Sequence, residues 1–236
     1  KIEIRGDDRI NGMKKFSFIK PRMRNYIHEW LFHEFSSENN LIKINYEFVD
    51  LIINGSNEGL YVMEENFGKE LIERNKRRNG PIFSLLTEYS ADIYNSKLEV
   101  YNKEYWNNSE NIKLYDFARK KFQSYLNGEL KVEETFDLKK WAWFFAVSDL
   151  TYTYHGTDPN NVKLYYNPVN GLLEPIPYDG HRVNKNFNKN LNSFESRINL
   201  EMANDCLNEK NCKKDDPSSY WVQSFFYNKD KSINKL

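Results

Sequence analysis

The chain has 236 residues, which is long enough for one large domain or for two lobes with a substantial core. Its 34 basic and 34 acidic residues cancel, so charge gives no general reason to expect a nucleic acid or an anionic membrane as a partner. No apolar run approaches the roughly 20 residues that cross a bilayer, and the mean hydropathy of −0.81 is that of a soluble globular protein. Because the chain starts within a strand-like sequence, KIEIRG, we expect that an N-terminal segment was removed from it.

The first 80 residues predict a β–α–β–β unit. Apolar and polar residues alternate in KFSFIK, which favours a strand that Pro21 ends. Residues 44–65 predict two strands around the turn NGSNEG, and residues 67–80 predict a short helix closed by Gly80. Between the first strand and this hairpin, RMRNYIHEWLFHEF predicts a helix. The apolar stripe expected to face the core consists of Met23, Ile27, Trp30, Leu31 and Phe35.

The pattern changes after Gly80. Short strands are predicted in IFSLLTE and LEVY, and a helix is predicted in IKLYDFARKKFQSYLNG. The strongly apolar sequence FDLKKWAWFFAVSDLTYTY predicts another helix, with Asp137 or Thr135 as its cap. Near the end of the chain, SYWVQSFFY predicts a short helix or a docking strand. Cys206 and Cys212 lie in a polar segment, where they form either a local disulfide or two free thiols.

The sequence YHGTDPNNVKLYYNPVNGLLEPIPYDGH concentrates polar side chains around two short apolar runs, VKLYY and LLEPIPY. The runs predict the two strands of a hairpin, joined by a turn at residues 167–171. A hairpin brings the loop before its first strand close to the loop after its second, so Asn161 and Asp179 should face each other. Amide and carboxylate oxygens gathered in this way suit a magnesium ion that carries a phosphate. The pattern therefore indicates a phosphoryl-transfer site.

Several blocks of the sequence together resemble one protein family. They are IRG, KKFSFIKPRMRNYIHEWLF, NGSNEGLYVMEE, DLTYTYHGTDPNNVKLYYNPVNG and PIPYDGH, spread over residues 2–181. Each block alone is weakly specific, but their order and spacing resemble those of the spore coat protein H (CotH) kinase family, a group of atypical kinases. The resemblance implies an α+β fold of the two-lobed atypical kinase type. We expect an N-terminal lobe at residues 1–80 and a C-terminal lobe at residues 81–236.

The resemblance also implies an activity. A kinase of this type uses ATP with Mg²⁺ or Mn²⁺ and phosphorylates Ser or Thr hydroxyls of coat or surface proteins. The expected partners are therefore a nucleotide and a protein substrate, with no nucleic acid and no membrane span. The resemblance alone suggests the spore coat or the cell surface as the location.

The second lobe is expected to supply the metal site. Asp179 follows a strand and precedes a glycine, and we expect it to hold the metal that bridges the ATP phosphates, with Asn161 as the second ligand. Either Asp158 or Asp149 would position the substrate hydroxyl. Asp149 ends the aromatic helix, where a negative charge opposes the helix dipole. His155 would contact a phosphate or hold the loop through a hydrogen bond.

The first lobe is expected to supply cations for the ATP phosphates. The segment 9–24 holds six basic residues and no acid. Lys20 is the first candidate, because the strand alternation places it on one face with two phenylalanines and an inward-facing lysine needs an anionic partner. Lys15 and Arg22 are substitutes for it.

A glutamate of the first helix would pair with this lysine. Glu34 continues the apolar stripe and Glu29 lies on its flank, so the sequence does not separate the two. Glu65 ends the block NGSNEGLYVMEE, where it would lie near the adenine in the segment between the lobes or pair with a cation. Met63 is a candidate adenine contact, although core packing explains it equally well.

Three other functions fit parts of the sequence. A non-catalytic coat or surface scaffold would keep the fold and use its many aromatic residues as binding surfaces. A nucleotidyl transferase would use the same nucleotide site but transfer a nucleotidyl group. A zinc site built from His155, Asp158, Asp179 and His181 is less favoured, because the spacing lacks an HExxH-type register.

Overall fold

The computed structural model describes residues 1–86, 97–151, 153–157 and 160–180. Asp158, His181, both cysteines and the segment SYWVQSFFY lie outside the described residues. The described part contains helices and strands in two separate four-stranded sheets, so the predicted α+β class is confirmed. In the described part of the chain, no helix combines the length and apolar character needed to span a membrane.

The first sheet is antiparallel and comes from the first part of the chain. Its strands are β1 (Ile2–Glu3), β2 (Lys15–Ile19), β3 (Tyr46–Ile53) and β4 (Ser56–Glu65), in the order β1-β2-β4-β3. Asn54 and Gly55 join β3 to β4, and both have positive φ, as the tight turn of a hairpin requires. The predicted hairpin is therefore confirmed, with its turn at the Asn-Gly pair.

A 3₁₀ turn at Pro21–Arg24 follows β2 and leads to helix α1 (His28–Glu38). The predicted buried stripe of this helix is wrong, because Met23, Ile27, Trp30 and Phe35 are exposed and Leu31 is only half-buried. The helix instead turns Glu29, Phe32, His33 and Ser36 inward, a set at helical spacing that mixes polar and apolar side chains. The position of the apolar residues in the sequence thus predicts the wrong buried face for α1.

Helix α2 (Lys69–Arg74) ends at Arg74, so Gly80 does not close it as predicted. Gly80 has a different role, because a Cβ at this position would overlap the carbonyl oxygen of Tyr166. The glycine lets the chain pass close against the second sheet.

The second sheet is also antiparallel. It consists of β5 (Ile82–Leu86), β6 (Lys97–Val100), β7 (Lys163–Asn167) and β8 (Leu172–Ile176), in the order β6-β5-β7-β8. Between β6 and β7 the described residues form four α-helices, α3 (Lys103–Trp106), α4 (Ile112–Leu126), α5 (Val132–Thr135) and α6 (Leu138–Thr151), and a 3₁₀ turn at Tyr154–Thr157. The backbone N–H of Lys140 donates to Asp137 Oδ1 at 3.2 Å, so Asp137 caps α6 as predicted.

The two faces of the second sheet meet different parts of the molecule. Phe83, Leu164 and Leu173 join a large apolar core with Trp141 and Phe144 of α6. The opposite face packs against the connections of the first sheet in a smaller core of Ile42, Ile44, Phe67, Leu71, Ile72, Ile82, Tyr165 and Ile176. The β7–β8 hairpin therefore lies between α6 on one face and α2 with the α1–β3 connection on the other. This position brings the loops at its open end close to Arg24 and α1.

Candidate functional site

The open end of the β7–β8 hairpin brings His155, Asn161 and Asp179 together. His155 Nδ1 lies 2.9 Å from the carbonyl oxygen of Asp179 and 3.5 Å from its carboxylate oxygen Oδ1. The side-chain amide of Asn161 is 3.0 Å from His155 Nδ1 and donates to the His155 carbonyl oxygen at 2.9 Å. His155 thus connects the loop before β7 to the segment after β8. Asn161 and Asp179 lie at the same end of the hairpin, as the sequence predicted.

Two glycines allow these segments to approach so closely. A Cβ on Gly156 would lie 2.9 Å from the carbonyl oxygen of Tyr178, and a Cβ on Gly180 would lie 2.6 Å from Phe32 Cδ1 and 2.7 Å from Thr153 Cβ. Real Cβ atoms do not come this close, so both positions require glycine. Gly180 therefore fixes the Asp179 segment between α1 and the end of α6.

Arg24 is the cation that meets Asp179. Its guanidinium forms an ion pair with Asp179 Oδ1, lies 3.6 Å from Glu64 Oε1, and donates to the Tyr178 hydroxyl at 3.2 Å. Only 11% of the Arg24 side chain is exposed. Burial alone would lower the pKa of the guanidinium, but the charges of Glu64 and Glu29 raise it above its ordinary value. Arg24 therefore stays charged in this setting.

Three carboxylates act on Arg24. Glu64 and Asp179 contact it directly, and the charge of Glu29, which is fully buried on α1, also acts on it. Glu29 Oε1 also lies 3.4 Å from His33 Nε2, and Asp179 Oδ1 lies 3.5 Å from His155 Nδ1. Burial and the charges of Glu29 and Glu64 also raise the pKa of the Tyr46 hydroxyl. Acidic and basic side chains are therefore interleaved around Arg24.

The lysines and arginine predicted from the sequence lie elsewhere. Lys20 is exposed, and its ammonium donates to the Glu58 carbonyl oxygen at 3.1 Å and lies 3.8 Å from the centre of the Tyr61 ring. The expectation that Lys20 faces inward is wrong, because its contacts are with the β3–β4 hairpin. Lys15 pairs with Glu3 at 3.0 Å at the edge of the first sheet, and Arg22 is exposed.

The structure separates the glutamate candidates. Glu29 is fully buried, whereas Glu34 is partly exposed and bonds to Lys43 at 2.6 Å, so Glu29 is the candidate that points inward. Glu65 forms an ion pair with Arg74, on the face of β4 opposite Glu64. Burial raises the pKa of the Glu65 carboxyl, and Arg74 partly offsets the effect.

The predicted adenine contact at Met63 lies in a small apolar core with Met13 and Phe16. Met63 is 4% exposed, so core packing accounts for this side chain.

A comparison with protein-family models matches residues 3–222 to the family described as CotH kinase protein. The chain belongs to the CotH kinase family. The match includes Arg24, Asn161 and Asp179, and it confirms the family resemblance seen in the sequence. A comparison with curated protein sequences found no match.

The structure describes only one of the two acids predicted to position the substrate hydroxyl in this CotH protein. Asp149 is buried in the last turn of α6, close in sequence to Thr153, which packs on Gly180. Asp158 lies outside the described residues, so its role stays a prediction.

Sequence patterns did not single out three residues that lie at or beside the candidate site of this CotH protein. Arg24 was counted in the basic segment, but the 3₁₀ turn that aims it at Asp179 has no clear sequence signal. Glu64 precedes the motif residue Glu65, and strand alternation alone puts the two on opposite faces. Lys163 is 4% exposed and lies over the Tyr178 ring at 5.3 Å. Its position within the apolar run VKLYY was the sequence feature that could have indicated its burial.

The structure also contains a cavity of about 580 Å³, whose lining does not include Arg24, His155, Asn161 or Asp179. Its lining includes Lys15, Gly68, Tyr101 and Trp106. The Tyr101 ring is 4.7 Å from that of Phe67, which in turn is 5.1 Å from the Tyr178 ring. An aromatic path thus connects the cavity with the residue that precedes Asp179, and the volume is within the range of small-molecule sites.

Proposed function

We propose that this protein is an ATP-dependent protein kinase of the CotH type, which transfers a phosphoryl group to Ser or Thr hydroxyls of coat or surface proteins. The observation that carries the proposal is the meeting of Arg24 with Asp179, beside His155 and Asn161. A buried cation next to a carboxylate and an amide is the set of groups that phosphoryl transfer needs. Membership of the CotH kinase family supports the same activity.

In this proposal the two sheets belong to the two lobes of an atypical kinase. The first sheet lies in the lobe at residues 1–80 and the second in the lobe at residues 81–236. Arg24 comes from the first lobe and Asp179 from the second, so their ion pair would lie between the lobes. ATP would bind there, with its phosphates next to Arg24.

The residues present fit Mg²⁺ or Mn²⁺. Carboxylate and amide oxygens are the ligands such ions prefer. Asp179 and Asn161 would hold it, and because the Asn161 nitrogen contacts His155, the amide oxygen would be the ligand atom. When bound, the ion would neutralise the phosphate charge. Among the described residues, no group of three or more His, Cys, Asp and Glu side chains could hold a metal ion. Asp158 and His181 of the zinc alternative lie outside these residues, so that alternative stays a prediction.

The remaining side chains would orient the reacting groups. Arg24 would bind a phosphate oxygen, and Glu64 and the Tyr178 hydroxyl hold its guanidinium in place. His155 would fix the Asp179 carboxylate and the Asn161 amide relative to each other. Asp158 or Asp149 would hold the substrate hydroxyl in line with the phosphate.

The proposal is tested by replacing Asp179 with asparagine. We expect Asp179→Asn to lose at least about 100-fold in phosphoryl transfer, because the charge facing the ion is removed while the size of the side chain is kept. Asp116→Asn, an exposed change on α4, should keep wild-type activity. The measurement is transfer of radiolabelled phosphate from ATP to a Ser- and Thr-rich protein, and full activity of Asp179→Asn contradicts the assignment.

A thermal-shift experiment separates the proposal from the scaffold alternative. ATP with Mg²⁺ must raise the melting temperature if it binds the folded protein. No shift would favour a non-catalytic scaffold. Mass spectrometry of the modified substrate would distinguish a phosphoryl group from a nucleotidyl group.

A further inference from the structure

Lys163 is a buried lysine that the proposed mechanism does not use. It is the first residue of β7, a strand paired on both sides, where its neighbours are Ser84 and Ile176. The residue is only 4% exposed. Within the described residues, no carboxylate lies within 4.0 Å of its ammonium. A buried cation usually has an anionic partner.

Two contacts of the Lys163 ammonium lie within the part of the chain that the structure describes. It donates to the carbonyl oxygen of Asn160 at 2.8 Å and lies 5.3 Å from the centre of the Tyr178 ring. Removing an ammonium from water costs free energy. Because an apolar side chain of similar length would fill the same volume without this penalty, packing does not explain a lysine here.

These two neighbours belong to the two segments that bear the proposed metal ligands. Asn160 directly precedes Asn161, and Tyr178 directly precedes Asp179. The Tyr178 ring also lies 5.1 Å from the guanidinium carbon of Arg24, so Lys163 and Arg24 both lie against this ring. A single side chain thus connects the turn before β7 with the segment after β8. The connection is separate from the one made by His155.

We propose that Lys163 is a positioning residue that sets the metal affinity of the site. By holding the Asn160 carbonyl oxygen against the Tyr178 segment, it keeps the Asn161 amide and the Asp179 carboxylate at the spacing that a divalent cation needs. The inference rests on the proposed function, because the metal is the one expected to serve phosphoryl transfer. Lys163 acts through Asn160 and does not contact the metal itself.

The test uses Lys163→Met, which keeps the length of the side chain and removes the ammonium. We expect about 10-fold weaker Mn²⁺ binding, the lower end of the effect seen when groups that orient metal ligands are removed. Binding is measured without nucleotide, from the loss of the electron paramagnetic resonance signal of free Mn²⁺. In EDTA the variant should melt at or above the wild-type temperature, because a buried charge has been removed.

Lys140→Met is the matched control. Lys140 is also largely buried and donates to a carbonyl oxygen, that of Asn40 at 2.9 Å, but its carboxylate neighbour is Glu174 at the turn end of the hairpin. This variant should bind Mn²⁺ as the wild type does. Lys163→Gln, which keeps a donor on a shorter side chain, should bind Mn²⁺ with intermediate affinity.

The outcomes separate this inference from the proposed function. Wild-type Mn²⁺ affinity in Lys163→Met overturns the positioning role alone. A lower melting temperature of Lys163→Met in EDTA also overturns it, because the lysine is then a structural residue. If the wild-type protein itself does not bind Mn²⁺, the metal site of the proposed function fails as well.

Discussion

Arg24 and Asp179 form an ion pair although they come from opposite ends of the described chain. Arg24 belongs to the 3₁₀ turn between β2 and α1, and Asp179 follows β8. The pair joins the two sheets at the point where the candidate metal ligands gather. It makes Arg24, in place of Lys20, the cation opposite the proposed metal.

Replacing Arg24 by methionine should reduce both activity and stability. Glu64 and Asp179 would be left without their cation, which we expect to cost about 3 kcal/mol in the free energy of unfolding. Loss of the phosphate contact should lower phosphoryl transfer by at least about 100-fold. Urea unfolding and the radiolabel assay measure the two effects.

Arg119→Met is the control for Arg24→Met. Arg119 is more than half exposed and pairs only loosely with Asp116 at 3.6 Å, so its loss should change stability by less than about 1 kcal/mol. If Lys20→Met abolishes activity and Arg24→Met does not, the assignment of the phosphate-binding cation returns to Lys20.

The two helix glutamates should respond differently to substitution. Glu29→Gln removes a buried charge that acts on Arg24, and we expect a drop in affinity for ATP with Mg²⁺ of about 10-fold, equivalent to about 1.4 kcal/mol. Glu34→Gln loses a partly exposed ion pair with Lys43 and should change stability by less than about 1 kcal/mol. Isothermal titration calorimetry with ATP and Mg²⁺ compares the variants, and equal affinities would argue against a role for Glu29.

The burial of Lys163 predicts a pH dependence of stability. Its pKa falls from 10.5 to about 8 in the folded protein, so between these values the unfolded chain binds more protons than the folded one. The contribution of Lys163 to stability therefore rises with pH in this window, and below pH 8 its burial penalty is fully present.

The Lys163→Met variant has no ammonium at this position. Comparing it with the wild type therefore isolates the contribution of Lys163 to the pH dependence of stability. Between about pH 7 and about pH 9.5 the wild type should gain about 2 kcal/mol relative to the variant. Urea unfolding of both proteins at the two pH values measures the difference. A constant difference would show that the ammonium is not desolvated in solution.

Gly80→Ala should destabilise the contact between α2 and the second sheet. Besides overlapping the Tyr166 carbonyl oxygen, the added Cβ would lie 3.0 Å from Pro168 Cδ. We expect a loss of about 2 kcal/mol, typical of overpacking. At Gly68 the nearest atom is the end of the flexible Glu70 side chain at 3.4 Å, so Gly68→Ala should change stability by about 1 kcal/mol or less. Thermal unfolding compares the two variants.

Local patterns account for much of the fold. The Asn54-Gly55 turn, the alternation in β2 and the apolar runs of β7 and β8 all predict elements that the structure contains. Their signals are short-range, since they depend on turn geometry and on the two-residue period of a strand. The location of Asn161 and Asp179 at the same end of this hairpin followed from the hairpin alone.

The directions in which the side chains of α1 and Arg24 point were harder to predict from the sequence. The inward face of α1 includes Glu29 and His33, whose burial depends on neighbours far away in the sequence, such as Tyr46. The direction of Arg24 depends on Asn25 and Tyr26, which both have positive φ, and tyrosine gives no sequence signal for that conformation. The strongest electrostatic contacts of the site are therefore set by tertiary packing.

The fit of Gly180 against Phe32 has a consequence for motion. Since not even one methyl group fits between α1 and the segment bearing Asp179, the two cannot slide past each other without unpacking. In the proposed kinase, a hinge that admits ATP would rotate α1 together with Asp179 and bend elsewhere. A ligand that shifted α1 would then also displace Asp179, so binding to the outer surface of this helix would alter the candidate site.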